Sequence, residues 1–98
     1  MTTPLTLTPT RDAEGTVVLK AGGEIDMTNC EDFAAAIEDV PDRLVVDLTD
    51  VEYMDSAGLS VLFTYADRIE VVVPSLLAPV VTFSGLAAVT TVHEVGAP

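Results

Sequence analysis

Ninety-eight residues suit one compact domain and leave no room for a catalytic domain beside a regulatory one, so a single domain over residues 1–98 is expected. Hydrophobic residues make up 49% of the chain and charged ones 20%, enough apolar side chain for a core and too much for wholesale disorder. Sixteen acidic residues face four basic ones (Arg11, Lys20, Arg43 and Arg68), and the formal charge of -12 repels phosphate backbones and lipid headgroups, which argues against direct nucleic-acid binding.

One cysteine, Cys30, cannot close an internal disulfide, and with one histidine, His93, it falls short of a zinc ligand set. The expected compartment is the cytoplasm. Residues 1–8 lack the basic start and apolar run of a signal peptide, and no stretch approaches the roughly 20 apolar residues that span a bilayer, so no membrane insertion is expected.

In chain order, Leu5 and Leu7 alternate with threonines, and Thr16-Val-Val-Leu-Lys follows the turn-forming Asp12-Ala-Glu-Gly15, which predicts a β-hairpin. Gly22-Gly23 marks either a bulge or a close backbone approach before the second strand ends near Asp26. Thr28 and Glu31 have capping-box spacing, and Phe33, Ile37 and Val40 recur at helical intervals, so a helix is predicted over residues 29–39, stopped by Pro41. Residues 43–48 form a β-branched apolar run that fits a buried central strand, and residues 49–55 read as a loop.

Leu59, Leu62, Phe63, Ala66 and Ile69 repeat at three and four residues and predict a second helix over 57–68, with Phe63 in the core and Tyr65 on the surface. Residues 70–74 read as a strand, 76–83 as a helix ended by Gly85, and 88–92 as a last strand. Pro79 in the interior of that third helix would cost about 3 kcal/mol, so the helix is expected to kink or to begin near Pro79. The order β-β-α-β-α-β-α-β implies an α/β fold, a mixed sheet of four or five strands with about three helices.

The stretch Val45-Val46-Asp47-Leu48-Thr49-Asp50-Val51-Glu52-Tyr53-Met54-Asp55-Ser56-Ala57-Gly58-Leu59 closely resembles the signature of STAS domains: a hydrophobic strand, an acidic loop and Asp-Ser-X-Gly-Leu. Gly23-Glu24-Ile25-Asp26 and Phe83-Ser84-Gly85-Leu86 are similar to two further family elements, so the resemblance spans most of the chain. It implies a STAS-like fold and an anti-sigma factor antagonist. Ser56 then matches the serine phosphorylated by an anti-sigma factor that is also a serine kinase. Asp26, Asp55, Ser56, Ala57, Gly58 and Ser60 are the partner-contact residues so implied. The same resemblance admits a constitutive STAS subunit bound to an ABC-type ATPase or a sensor, without phosphorylation. The chain is shorter than a typical member between Gly58 and Gly85, and lacks the arginines usual around residues 77–81.

A serine at a helix start is exposed beside free backbone amides, and a phosphate there brings about -1.5 to -2 charge, which the helix dipole tolerates. For an isolated Asp-Ser before a helix the plain reading of the serine is an N-cap, a role that can coexist with modification. Asp47, Asp50, Glu52 and Asp55 crowd one acidic region but lack the glycine and terminal glutamate of an EF-hand loop, so no metal is assigned. Ser56 and His93 lack the Gly-x-Ser-x-Gly context of a hydrolase nucleophile, so no enzyme, no catalytic residue and no cofactor are expected.

Overall fold

The computed structural model describes residues 3–96. Met1 and Thr2, part of the segment read against a signal peptide, and the last two residues of the expected 1–98 domain lie outside the described residues. Strands β1 (Thr6–Arg11) and β2 (Val17–Ile25) pair antiparallel as the predicted hairpin. Its turn is closed by Asp12, whose Oδ1 accepts the amides of Glu14 (2.9 Å) and Thr16 (3.0 Å), and by Gly15 at φ 86°. Pro9 is tolerated because β1 is an edge strand.

Helix α1 (Cys30–Glu38), strand β3 (Leu44–Met54), helix α2 (Ser56–Thr64), strand β4 (Ile69–Pro74), helix α3 (Ala78–Ser84) and strand β5 (Thr91–Val95) follow. The sheet order is β1-β2-β3-β4-β5, with β2 to β5 all parallel. This is the expected mixed α/β sheet, with five strands and three α-helices. Successive right-handed crossovers that advance in one direction put every helix on the same face. That face holds the core: Leu19, Ala21 and Ile25 of β2, Leu44, Val46 and Leu48 of β3 and Ile69, Val71 and Val73 of β4 pack with Phe33, Ile37, Leu62 and Val81. Burying a side chain of this size contributes about 1.5–3 kcal/mol, so this layer carries most of the stability.

Five expectations need correction. Residues 49–54 continue β3 instead of forming a loop. Two shifts in register against β2, between Lys20 and Gly22 and between Gly23 and Glu24, each give β3 an extra residue. These bulges reset the two-residue alternation, so the buried side chains Leu48, Val51 and Met54 fall three apart and mimic a loop. The Thr28–Glu31 capping box does not form. Asp26 takes both the amide and the hydroxyl of Thr28, and α1 starts one residue later, with Asn29 at the cap making no side-chain cap bond.

Helix α2 is shorter than 57–68, closing at Thr64 before a 3-10 turn, Ala66–Arg68, that leads straight into β4. Its buried stripe is Gly58, Val61 and Leu62, with Ala66 beyond, which turns Phe63 outward to 40% exposure instead of into the core. The last strand is Thr91–Val95, since Leu86–Ala88 winds as a 3-10 turn after Gly85. At α3, Pro79 sits in the first turn, where its missing amide costs nothing, the second of the two predicted escapes. At Gly22-Gly23 both readings apply: the ladder to β3 shifts register on either side of the pair, and a Cβ at Gly23 would collide with the Pro4 carbonyl oxygen.

Candidate functional site

Ile25 and Met54 are register partners at the carboxyl ends of β2 and β3, so the next residue of each strand, Asp26 and Asp55, emerges at the same sheet edge. In parallel sheets this is the edge that carries function, because the loops into the helices converge there. The Asp55 amide donates to the Ile25 carbonyl (3.2 Å) and ties the two exits together.

Asp55 is the N-cap of α2. Its backbone is extended, and its Oδ1 accepts the amides of Ala57 (2.9 Å) and Gly58 (3.4 Å). Ser56 is therefore the first helical residue and not the cap, which corrects the plain reading. Its side chain is exposed and takes part in none of the side-chain hydrogen bonds among the described residues. Ser60, one turn on, is exposed on the same face, whereas Ala57 is half-buried. Gly58 is buried against the strand ends: an added Cβ would lie 2.7 Å from Met54 Cγ and 2.9 Å from Ile25 Cγ2. That close approach brings the start of α2, and Ser56 with it, down onto the sheet edge.

Asp26 organises the other exit. Its Oδ1 accepts the Thr28 hydroxyl (2.5 Å) and amide (2.9 Å), and its own amide donates to Asn29 Oδ1 (3.0 Å). The Thr28 hydroxyl, then the amides of Thr28 and Asn29, hold the Asp26 carboxyl below the usual carboxylate range against a small opposing effect of burial. Two hydrogen-bonded aspartate side chains and an exposed serine thus share this sheet edge.

The remaining acidic side chains do not converge. Asp47 accepts the Thr49 hydroxyl (2.7 Å) and amide (2.9 Å), and Asp50 pairs with Lys20 at 3.5 Å. Among the described residues no group of three or more His, Cys, Asp or Glu side chains is arranged to hold a metal ion. Cys30 is a free thiol at the start of α1, and His93 Nε2 lies 3.7 Å from Glu70 on β4. Among those residues no helix is long and apolar enough to cross a membrane.

Sequence reasoning passed over Met27 and Tyr53, exposed apolar side chains directly after Asp26 and just before Asp55. An apolar Met27 inside a polar turn, in phase with neither strand nor helix, was the available signal. A cavity of about 580 Å³ between Arg11, Glu14, Asp42, Arg43 and Glu70 lies where β2, β3 and β4 begin, at the opposite end of the strands from Ser56. An open edge with exposed apolar side chains among charges suits a protein surface better than a small molecule.

The family described as "Mlab, STAS domain" matches residues 9–91 of the chain. An anti-sigma-F factor antagonist, RsfB, of Mycobacterium tuberculosis is 38% identical over 74 residues, covering 70% of this chain. The chain spans 61% of that relative's length. Among solved structures, an anti-sigma factor antagonist from Mycobacterium paratuberculosis superposes with a TM-score of 0.80 at 27% identity, over 92% of this chain and 86% of that one. A STAS-domain antisigma-factor antagonist from Rhodobacter sphaeroides, 21% identical, shares the fold at a TM-score of 0.54 over 70% of this chain and 84% of its own. With its fold, its Asp-Ser-Ala-Gly-Leu turn and the family match over residues 9–91 in agreement, this chain belongs to the STAS domain family.

Proposed function

We propose that this protein is an anti-sigma factor antagonist: its unphosphorylated form binds an anti-sigma factor with serine kinase activity and so releases a sigma factor, and phosphorylation of Ser56 ends that binding. The observation that carries the reading is Ser56 itself, an exposed hydroxyl at the first position of α2, on an open edge flanked by Met27 and Tyr53. The 38% identical mycobacterial relative, an anti-sigma-F factor antagonist, supports it. Asp26, Asp55, Ala57, Gly58 and Ser60 complete the partner-contact surface, Asp55 and Gly58 by holding the turn and the other three by lying around the serine. The protein acts as one STAS domain in the cytoplasm and performs no catalysis of its own.

In the switching step the Ser56 oxygen attacks the γ-phosphorus of ATP held by the kinase. A serine O–P bond forms, the β,γ-bridging P–O bond breaks, ADP leaves and the hydroxyl proton passes to the kinase's base. The phosphate adds about -1.5 to -2 charge beside Asp55, whose carboxylate already occupies the amides of Ala57 and Gly58. Those donors being taken, the new charge stays outward, where a partner must approach and shed water. Binding is lost while the fold is kept.

The test is incubation of the purified chain with ATP and the anti-sigma kinases encoded in its own genome, read by intact mass and by complex formation. One added phosphate on the wild type, none on Ser56→Ala, and a complex that dissolves on phosphorylation are expected. A complex with an ABC-type ATPase or a sensor, together with an unmodified Ser56, would instead support a constitutive subunit.

A further inference from the structure

Hydrogen bonds fix the turn from β2 into α1. Asp26 Oδ1 accepts the Thr28 amide and hydroxyl, the Asp26 carbonyl accepts the amides of Asn29 (3.2 Å) and Cys30 (2.9 Å), and Asn29 Nδ2 donates to the Glu24 carbonyl (2.9 Å). In this ordered turn stands Met27, 78% exposed. An exposed apolar side chain is ordinary by itself. Two further observations bear on this one. The backbone that carries it needs no ordering when a partner arrives, which removes part of the cost of binding. The Asp55 amide also bonds the Ile25 carbonyl, so Met27, two residues beyond Ile25, and Ser56, one residue beyond Asp55, stand on one sheet edge.

We infer that Met27 is the apolar anchor through which the anti-sigma partner holds this edge, and that oxidation of its thioether to the sulfoxide by hydrogen peroxide releases the partner while Ser56 stays unmodified. The inference rests on the proposed function and adds a second control to the same edge. Methionine suits an anchor because its unbranched, polarizable side chain moulds to an irregular surface. In the oxidation a lone pair of the Met27 sulfur attacks one peroxide oxygen, an S–O bond forms and the O–O bond breaks. The leaving hydroxide takes the proton of the transferred oxygen and departs as water, so sulfur gives up two electrons and peroxide gains them. The product is a polar side chain, which binds poorly where a partner excludes water. Exposure makes the reaction selective, because Met54 is 6% exposed and packed against Gly58.

The test treats the full chain with hydrogen peroxide, maps the added oxygen by tryptic digestion and titrates the product against the purified anti-sigma partner. Cleavage after Arg11, Lys20 and Arg43 puts Met1, Met27 and Met54 in separate peptides. Oxygen is expected on Met27 well before Met54, with affinity falling at least about tenfold and returning after treatment with the epimer-specific methionine sulfoxide reductases. Met27→Gln should reproduce the loss, whereas Met27→Leu, close in volume, should bind within about threefold of wild type and resist peroxide. Both variants should melt with the wild type, since the side chain they replace is exposed. Met27→Leu keeps Cys30, so any effect of thiol oxidation appears in both proteins and their difference reads Met27 alone. A complex that dissolves on Ser56 phosphorylation yet survives Met27 oxidation or Met27→Gln overturns the inference and leaves the proposed function standing. Equal peroxide sensitivity in Met27→Leu overturns it too, and the absence of any complex with an anti-sigma kinase ends both readings.

Discussion

Replacing Gly58 by alanine sets two opposed effects against each other at the turn that positions Ser56. Alanine is favoured over glycine inside a helix by about 0.8–1.0 kcal/mol. Against this, the new methyl would sit 2.7 Å from Met54 Cγ and 2.9 Å from Ile25 Cγ2, both well inside contact distance. Neither neighbour can swing into solvent, since Met54 is 6% exposed and Ile25 fully buried. Forcing a methyl into such packing costs about 1–3 kcal/mol, so the net effect is a loss of up to about 2 kcal/mol. For a domain of this length each kcal/mol shifts the melting temperature by about 4–8 °C. Relief comes by lifting the start of α2, which stretches the 3.2 Å bond from the Asp55 amide to Ile25 and displaces Ser56. Thermal melts combined with partner titration should show Gly58→Ala losing both stability and affinity. Adding Met54→Ala should cost less than the sum of the two single changes, because it vacates the space the methyl needs. Gly58→Ala with wild-type or higher stability would refute the close packing of α2 on the strand ends.

The cap predicts an asymmetry between neighbours. Asp55→Ala should cost about 0.5–2 kcal/mol and Ser56→Ala less than about 0.5 kcal/mol, and urea melts giving the reverse order would return the cap to the serine. For Asp26, whose carboxyl is lowered chiefly by the Thr28 hydroxyl, the stabilisation is present above the ordinary aspartate pKa and lost as pH falls through the folded value. Thr28→Val should raise the Asp26 pKa in a carboxyl NMR titration, and an unchanged value would contradict the hydrogen bond. Tyr65 donates to Glu38 and joins α2 to α1. That bond, followed by burial and the charge of Glu38, raises its pKa despite the opposing Arg68. Its contribution is full below the ordinary tyrosine pKa and fades as pH rises through the folded value, so Tyr65→Phe should destabilise at neutral pH and converge with the wild type at strongly alkaline pH. An equal difference at both pH values would argue against the bond.

Elements that bury one face at a regular spacing were legible in the sequence. Leu44, Val46 and Leu48, Phe33 and Ile37, and Val71 and Val73 all declare their strand or helix because nothing interrupts their period, whereas Ile69, read into the helical repeat, opens β4. What went unread involved contacts between distant segments. The bulges in β3 are set by pairing with β2, some thirty residues earlier, and they scramble the local alternation. The choice of Asp26 over Glu31 as the partner of Thr28 is a competition between two plausible local bonds. Phe63 looked apolar and in phase, yet the helix face that packs is fixed by the close approach of Gly58, one turn earlier. At the site, the motif located the serine and the helix start correctly to within a residue. The division of labour between Asp55 as cap and Ser56 as free hydroxyl needed coordinates, since either side chain caps a helix well.

The most direct test of the central reading is a set of three titrations against the purified anti-sigma partner, with wild type, Ser56→Ala and Ser56→Asp. Because Ser56 is an exposed first-turn residue that makes no described side-chain hydrogen bond, neither substitution should alter the fold, and melts will verify that. Ser56→Ala keeps the contact surface and should bind within about twofold of wild type. Ser56→Asp puts a charge where the partner excludes water and should bind at least about tenfold more weakly, a loss of about 1.4 kcal/mol. Equal affinity for all three proteins would contradict the phosphorylation switch.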